Sequence, residues 1–341
     1  MILRDAALGL GLALASITAA PAATIVAIEV PDAISVHAAQ IDKTGNLVGS
    51  AFFVQQSPKG FIRHKDGTFS YAPPSALISA VSAANGNTAG NVEAGAGSEA
   101  FIGDLTGQVT PFPVKGFGFA NATSVNSTGE VVGYGEKDAD SSLRGFFRKA
   151  GGKAKPFDAP GAGTAKSQGT EALGLAESGI SCGIVIDGSS VRHGFVRDVR
   201  GNITVFDPPG AIRTTAIAIM KDGTVGGTYR DSAGVSHAYL RAPDGTYSFY
   251  DAPGAGTGSG QGTTLLAINK KGATVGASVD SAGVAHAYLR NAAGKFAVFD
   301  APGAGTMPNT GTFAWAVNDA NQVAGDAVDN DLQDHGYMRL P

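Results

Sequence analysis

The sequence contains very little of two residue types that would point to particular classes of protein. Only one of its 341 residues is a cysteine, Cys182, so no intrachain disulfide can form. Charged residues make up only 16% of the chain, and the formal net charge is −4. Contacts with nucleic-acid phosphates need clustered lysine and arginine, and basic residues here do not outnumber acidic ones. We therefore predict no nucleic-acid partner, and we expect Cys182 to be a small buried apolar residue.

Long apolar runs are also scarce, and the one that bears on targeting lies at the N-terminus. Residues 6–20 are apolar and follow Arg4, while Ala20 and Ala22 fit the small-x-small pattern of a cleavage site. The run is shorter than the roughly 20 residues that a membrane-spanning helix needs. We therefore predict a signal peptide over residues 1–22 and a mature chain, residues 23–341, without a membrane span. The mature protein is expected to be a monomer that is secreted or periplasmic.

Glycine, by contrast, is abundant, and its positions reveal a repeat. Among 49 glycines, one recurs after a turn and a short apolar stretch, at intervals of 41 to 50 residues. About ten residues later come a polar residue, a glycine or alanine, and an aromatic residue. The sequence therefore contains seven repeats. Their marker glycines are Gly49, Gly90, Gly133, Gly183, Gly227, Gly276 and Gly325.

Each repeat reads as four short strands. In the sixth, the candidate strands cover residues 265–269, 273–279, 285–290 and 295–300, separated by turns that end in glycine. The first strand alternates large and small side chains, as expected for a strand packed between two neighbouring sheets. Such meanders, stacked face to face around an axis, form a β-propeller. We therefore predict an all-β fold, a seven-bladed β-propeller of four-stranded antiparallel blades, as a single domain over residues 23–341.

The two ends of the chain are predicted to close this ring. The last repeat stops after its third strand, at Pro341, and lacks a fourth. Residues 24–30 read as a fourth strand followed by the usual proline-containing exit. We therefore predict that the N-terminal strand completes the last blade, which removes an exposed sheet edge.

Two short motifs recur in the later repeats. One is His-Ala-Tyr at residues 237–239, and the other is Phe-Asp-Ala-Pro-Gly at residues 299–303, which closes the repeat. With these motifs the chain resembles the extracellular HAF-repeat family of bacterial proteins over essentially the whole mature sequence. The resemblance implies an exported repeat protein and brings no catalytic residues with it. In the first three repeats the histidine is replaced, by Lys59, Glu99 and Arg144.

The histidines of the first motif are candidates for a functional site. They occupy one position in four repeats, so a ring would hold them far apart, whereas metal ligands must converge on one ion. We predict instead that each makes a structural polar contact with a neighbouring turn. The four are His193, His237, His286 and His335.

Aspartate-rich turns are further candidates. Calcium binds several carboxylate and carbonyl oxygens, but aspartate also favours tight turns without any ion. The sequence leaves both interpretations open. No cofactor is predicted, and calcium is the one ion for which the sequence offers candidate ligands. These are Asp329, Asp331 and Asp334.

The start of the first strand is where the repeats differ most. Function tends to break the symmetry of a repeated scaffold, and innermost first strands would place these residues around one end of a channel. The alternative is that the side chains cap strand ends and touch only water. The aligned residues are His37, Ile78, Asn121, Glu171, Thr215, Thr264 and Phe313. Those predicted to bind a ligand are His37, Asn121, Glu171, Thr215 and Phe313.

The sequence favours binding over catalysis, and no catalytic residue is predicted. The leading prediction is a secreted non-enzymatic scaffold for a protein or glycan partner. One alternative is an extracytoplasmic enzyme that acts on a polysaccharide or other polymer at the channel mouth. Glycoside hydrolysis needs two carboxylates roughly 5–10 Å apart, and Glu171 is the only acid among the aligned residues. Another alternative is a structural component of the envelope or matrix.

Overall fold

The structure is a computed structural model that describes residues 23–341. The regular elements in this range are 28 β-strands, which confirms the all-β class. In the same range no helix is long and apolar enough to cross a lipid bilayer. The predicted signal peptide, residues 1–22, lies outside the described residues.

The strands form seven sets of four, which we call units 1 to 7. The first strands are β2 (Ser35–Ile41), β6 (Ala76–Val81), β10 (Phe117–Val125), β14 (Gly169–Leu175), β18 (Arg213–Ile219), β22 (Gly262–Ile268) and β26 (Gly311–Val317). The second strands are β3 (Leu47–Phe52), β7 (Thr88–Ala94), β11 (Val131–Lys137), β15 (Ser181–Ile186), β19 (Val225–Arg230), β23 (Thr274–Val279) and β27 (Val323–Val328). The third strands are β4 (Lys59–Arg63), β8 (Gly97–Gly103), β12 (Leu143–Arg148), β16 (Arg192–Arg197), β20 (Ser236–Arg241), β24 (Ala285–Arg290) and β28 (Asp334–Leu340). The fourth strands are β5 (Phe69–Tyr71), β9 (Val109–Phe112), β13 (Ala154–Phe157), β17 (Ile203–Phe206), β21 (Tyr247–Tyr250), β25 (Phe296–Phe299) and, for unit 7, β1 (Thr24–Ala27).

Successive strands within each unit pair antiparallel. In units 1 to 6 the four strands follow one another along the chain. In unit 7, β1 pairs with β28, from Thr24 opposite Leu340 to Ala27 opposite Tyr337. The predicted pairing of the N-terminal strand with the last repeat is therefore present.

The hydrogen-bonded sheets extend beyond single units. Two contain twelve strands each, and the third contains four. Units are joined where the third strand of one makes a short parallel bridge to the first strand of the next, as between Ser236 and Gly262. The repeat predicted pairing only within a unit, so these bridges are an additional feature.

The first strands lie side by side around a central cavity. β2 contacts β6, and the contacts continue in chain order to β26, which contacts β2 again. The cavity has a volume of about 210 Å³, and every first strand contributes to its lining. Each first strand also contains an irregularity of the β-bulge type, which interrupts the strict alternation predicted for it.

The marker glycine lies in the second strand, at the point where the first strand and an aromatic ring of the third strand both approach it closely. In unit 6, a Cβ on Gly276 would lie 1.9 Å from the carbonyl oxygen of Thr264. The hydroxyl of Tyr288, on the third strand, donates to the same oxygen at 3.0 Å. No side chain fits between these groups, which explains why glycine recurs. The equivalent buried aromatics of units 1 to 7 are Phe61, Phe101, Phe146, Phe195, Tyr239, Tyr288 and Tyr337.

Cys182 lies in the second strand of unit 4 and has no exposed surface. It belongs to an apolar cluster with Phe206, Ala216 and Tyr239. Burial raises the pKa of its thiol to about 12. The prediction of a small buried apolar residue is confirmed.

Candidate ligand-binding site

Strand pairing places the predicted ligand residues at one end of the ring, which we call the channel mouth. In each case the next residue along the first strand pairs with the marker glycine. Phe313, for example, precedes Ala314, which is opposite Gly325. Unit 2 departs from the sequence alignment, because Ile78 itself is opposite Gly90 and Leu77 therefore holds the mouth position. The predicted place of Ile78 is wrong. A shift of one residue turns a side chain to the other face of its strand, and Ile78 is buried in the core.

His37 is held by a buried carboxylate. Its Nδ1 is hydrogen-bonded to Oδ2 of Asp326, whose Oδ1 accepts the backbone N–H of Ala38 at 2.7 Å. Asp326 is only 2% exposed, whereas the His37 side chain is 38% exposed. Burial lowers the pKa of His37, but the hydrogen bond and charge of Asp326, together with the charge of Asp334, outweigh it and raise the pKa. The carboxylate partner assigns a proton to Nδ1, and Nε2 has no hydrogen-bond partner within residues 23–341.

Two aromatic side chains lie next to His37. The ring centroids of Trp315 and His37 are 5.4 Å apart in an edge-to-face arrangement. Trp315 stacks against Phe313 with centroids 6.0 Å apart and 18° between the ring planes. Trp315 also lines the central cavity, and its buried Nε1 has no partner in the part of the chain that the structure describes. We call these three half-buried side chains the aromatic site.

The other predicted ligand residues lie elsewhere at the mouth. The Asn121 side-chain oxygen accepts a hydrogen bond of 3.4 Å from a serine hydroxyl of unit 2. Glu171 and Thr215 line a second cavity, of about 380 Å³, between units 4, 5 and 6. Burial raises the pKa of Glu171, and the arginines nearby offset this only in part. The five predicted residues therefore fall into three places rather than one pocket.

The sequence comparison considered only the aligned residues at the start of the first strand, so it did not identify the other residues at these three places. They are Trp315 and Asp326 at the aromatic site, and three arginines in the second cavity. Each differs from its counterparts in the adjacent units. The signal of broken symmetry was therefore present in the sequence at other positions of the repeat.

The three aspartates proposed as calcium ligands lie at or beside the turn between β27 and β28. Oδ1 of Asp329 accepts the backbone N–H of Asp331 at 2.8 Å and that of Gln333 at 3.0 Å. Oδ2 of Asp329 lies 2.8 Å from Nε2 of His335, while Asp334 begins β28. Within residues 23–341, no three histidine, cysteine, aspartate or glutamate side chains converge as a metal site. Calcium binding here stays a prediction.

The histidines make the structural contacts that the sequence predicts. Nδ1 of His193 lies 2.6 Å from Oδ2 of Asp207, which belongs to the closing motif of its repeat. In unit 3, Arg144 replaces the histidine and contacts the equivalent Asp158 at 2.7 and 2.9 Å. Two further pairs are His237 with Asp251 and His286 with Asp300.

Comparison with known proteins identifies the fold. No family model matches the chain, and no curated protein matches it. The acylaminoacyl peptidase of Pyrococcus horikoshii matches with a TM-score of 0.62 and 8% identity, over 91% of this chain and 52% of the peptidase. The β-propeller domain of the Trilobed protease from Pyrococcus furiosus matches with a TM-score of 0.60 and 9% identity, over 90% and 94%. This chain has a β-propeller fold.

A third solved structure is similar over its whole length. The propeller matches BP39L lectin from Burkholderia pseudomallei with a TM-score of 0.52 and 12% identity, over 91% of this chain and 99% of the lectin. The propeller spans about half the length of the acylaminoacyl peptidase. At such low identities the similarity shows the fold alone.

Proposed function

We propose that this chain is an exported, monomeric, seven-bladed β-propeller of the HAF-repeat type. The seven units are its blades, and β1 completes the seventh. Support comes from the cyclic contacts of the first strands and from the pairing of β1 with β28. Export is tested by N-terminal sequencing of the protein from separated cell fractions. We expect Ala23 as the first residue in the periplasm or medium, whereas a cytoplasmic protein that retains residues 1–22 would contradict export.

We propose that the propeller is a non-enzymatic binding protein whose ligand is a glycan. The observation that carries this proposal is the aromatic site at the channel mouth. Ligand sites combine aromatic surface with a few placed polar groups, and the unpartnered Nε2 of the part-exposed His37 is such a group. The lectin of the same fold is compatible with this ligand class.

Trp315 allows a direct test, because it is the only tryptophan in the chain. We expect its fluorescence to change saturably when residues 23–341 are titrated with the glycan class that binds. The Phe313→Ala variant should bind roughly tenfold more weakly, since aromatic anchors typically contribute more than about 1 kcal/mol. Tyr71→Ala, which removes an exposed aromatic ring from β5, is the matched control and should bind normally. Unchanged emission with every glycan, or normal binding by Phe313→Ala, would contradict the proposal.

A second candidate is an enzyme that acts on a polysaccharide. One observation favours it: Asp326 is hydrogen-bonded to His37 and orients it, and the charge of Asp334 helps to raise the pKa of His37. Imidazoles oriented by carboxylates serve in acid–base catalysis. Long incubation with the bound glycan separates the candidates. New reducing ends that disappear in His37→Gln would favour the enzyme, and an unchanged glycan favours the binding protein.

A further inference from the structure

The second cavity lies beside the one first strand among units 4 to 7 that does not begin with glycine. The first strands of units 4, 6 and 7 begin with glycine, and each of these glycines forms a parallel bridge with the preceding third strand. A Cβ on Gly262 would lie 2.1 Å from the carbonyl oxygen of Ser236. A side chain at this position would therefore require the backbone to shift, and in unit 3 the parallel bridge is made further along the first strand, by Phe119 opposite Ser98.

The first strand of unit 5 begins with Arg213 instead. One twelve-stranded sheet ends in unit 4 and the other begins in unit 5, so no bridge joins β16 to β18 in the described structure. The second cavity, of about 380 Å³, lies at this break and is lined by Arg213. Arg213 thus stands where units 4, 6 and 7 have the bridging glycine, and it lines the cavity beside it.

Two more arginines line the same cavity. Arg230 ends β19 and stands directly opposite Arg213 in the strand pairing, while Arg192 begins β16. Neither charge belongs to the repeat. In units 6 and 7 the counterparts of Arg230 are Val279 and Val328, and in units 5 and 6 those of Arg192 are Ser236 and Ala285.

The positive charge of this group is poorly compensated. Like charges directly opposite each other on antiparallel strands are destabilising. None of the three arginines forms an ion pair within residues 23–341, and Glu171 is the only acid that lines the cavity. Burial, followed by repulsion from Arg192 and Arg230, lowers the pKa of Arg213. The folded protein therefore maintains an unfavourable cluster that a bound anion would relieve.

We infer that this arginine cavity binds an oxyanion on the ligand glycan, either the carboxylate of a uronic acid or a sulfate ester. The inference rests on the proposed glycan-binding function and adds the charge of the ligand to it. Guanidinium groups present forked donors that match the paired oxygens of such anions. The cavity is lined by the mouth residues Glu171, Thr215 and Thr264, so it lies at the same end of the ring as the aromatic site.

Calorimetric titration of residues 23–341 tests the inference. The ligands are trigalacturonate, its carboxyl-reduced neutral counterpart and a sulfated trisaccharide. We expect an acidic ligand to bind at least about tenfold more tightly than the neutral one, because hydrogen bonds to charged groups are the stronger kind. The affinity for the acidic ligand should fall as salt is added. The carboxylate and sulfate arms identify which anion is held.

Substitution of the opposed arginines gives the decisive comparison. Arg213→Gln and Arg230→Gln should each weaken acidic binding about tenfold or more and leave the neutral ligand unaffected. Arg200→Gln, which removes an exposed arginine in the turn between β16 and β17, is the matched control and should change neither. Thermal melts without ligand exclude misfolding. Loss of one of two opposed charges should leave the melting temperature of Arg213→Gln unchanged or raise it.

The outcomes separate this inference from the proposed function. Equal affinity for acidic and neutral ligands, or normal acidic binding by both arginine variants, overturns the inference and leaves glycan binding intact. If no glycan binds, the proposed function fails, and melts in sodium sulfate against sodium chloride of equal ionic strength decide the anion site. A rise in melting temperature on going from chloride to sulfate that the wild type shows and Arg213→Gln lacks supports the site, and equal shifts in the two proteins overturn it.

Discussion

At the scale of single residues, the recurring geometry is a histidine or arginine on the third strand that contacts the aspartate of the closing motif. Histidine makes this contact in units 4, 5 and 6, and Arg144 makes it in unit 3. In unit 5, His237 contacts Asp251 through Nδ1 and lies 3.4 Å from Asp231 through Nε2. The imidazole therefore connects the end of the unit to the turn between its second and third strands, and its role is structural.

These contacts give folding stability a defined dependence on pH. Burial lowers the pKa of His237, but its hydrogen bonds to Asp251 and Asp231 and their charges outweigh burial and raise the pKa above its usual value of 6.5. A histidine whose pKa is higher in the folded than in the unfolded protein stabilises the fold fully at pH values below its pKa in the unfolded protein. This stabilisation is lost as the pH rises through its pKa in the folded protein. The denaturant midpoint of the wild type should therefore decrease as the pH is raised from about 6 to about 8. The midpoint of His237→Gln should decrease less over the same range.

Arg144→Gln is the matched control for this prediction. It removes the equivalent pair of unit 3, whose guanidinium keeps its charge throughout this pH range. It should lower the midpoint equally at both pH values and leave the slope with pH unchanged. Identical slopes in the wild type and in His237→Gln would contradict the account.

At the scale of elements, local patterns predict most strands, while contacts between units decide the rest. In unit 6 the third strand is found where the turns and alternation predict it, at Ala285–Arg290. The first strand begins earlier than predicted, at Gly262, because its first residue bonds to the preceding unit. The bulge in each first strand adds a residue that alternation does not reveal, and the misplaced Ile78 lies in such a strand. The arginine cavity also depends on contacts between units, because its three arginines come from three strands of units 4 and 5 and unit 6 completes its lining.

The marker glycines provide a test at this scale. Gly276→Ala should lower the free energy of unfolding by about 1–3 kcal/mol or more, because its Cβ would overlap the carbonyl of Thr264. Gly188→Ala is the control, since no heavy atom lies within 4 Å of a Cβ placed there, and it should change stability by less than about 0.5 kcal/mol. Denaturant unfolding measures both. Equal stabilities of the two variants would show that close packing does not explain the recurrence of glycine.

At the scale of the whole molecule, the proposed ring closure and the candidate site depend on the same junction between units 7 and 1. The segment after β1 contributes Ile28 and Val30 to a core cluster shared with units 1 and 7, and the Ile28 N–H donates to the Gly336 carbonyl at 2.7 Å. The same junction brings His37 of unit 1 against Trp315 and Asp326 of unit 7. A ring that does not close there would also separate the groups of the aromatic site.

Deletion of residues 24–31 tests this closure most directly, with thermal unfolding followed by the fluorescence of Trp315. The account predicts a melting temperature lower than that of residues 23–341 by more than about 5 °C, since burial of Ile28 and Val30 alone stabilises by roughly 3–6 kcal/mol. It also predicts altered emission before unfolding, because Trp315 lies at the opened junction. Identical melting curves and emission spectra for the two proteins would contradict closure of the ring by the N-terminal strand.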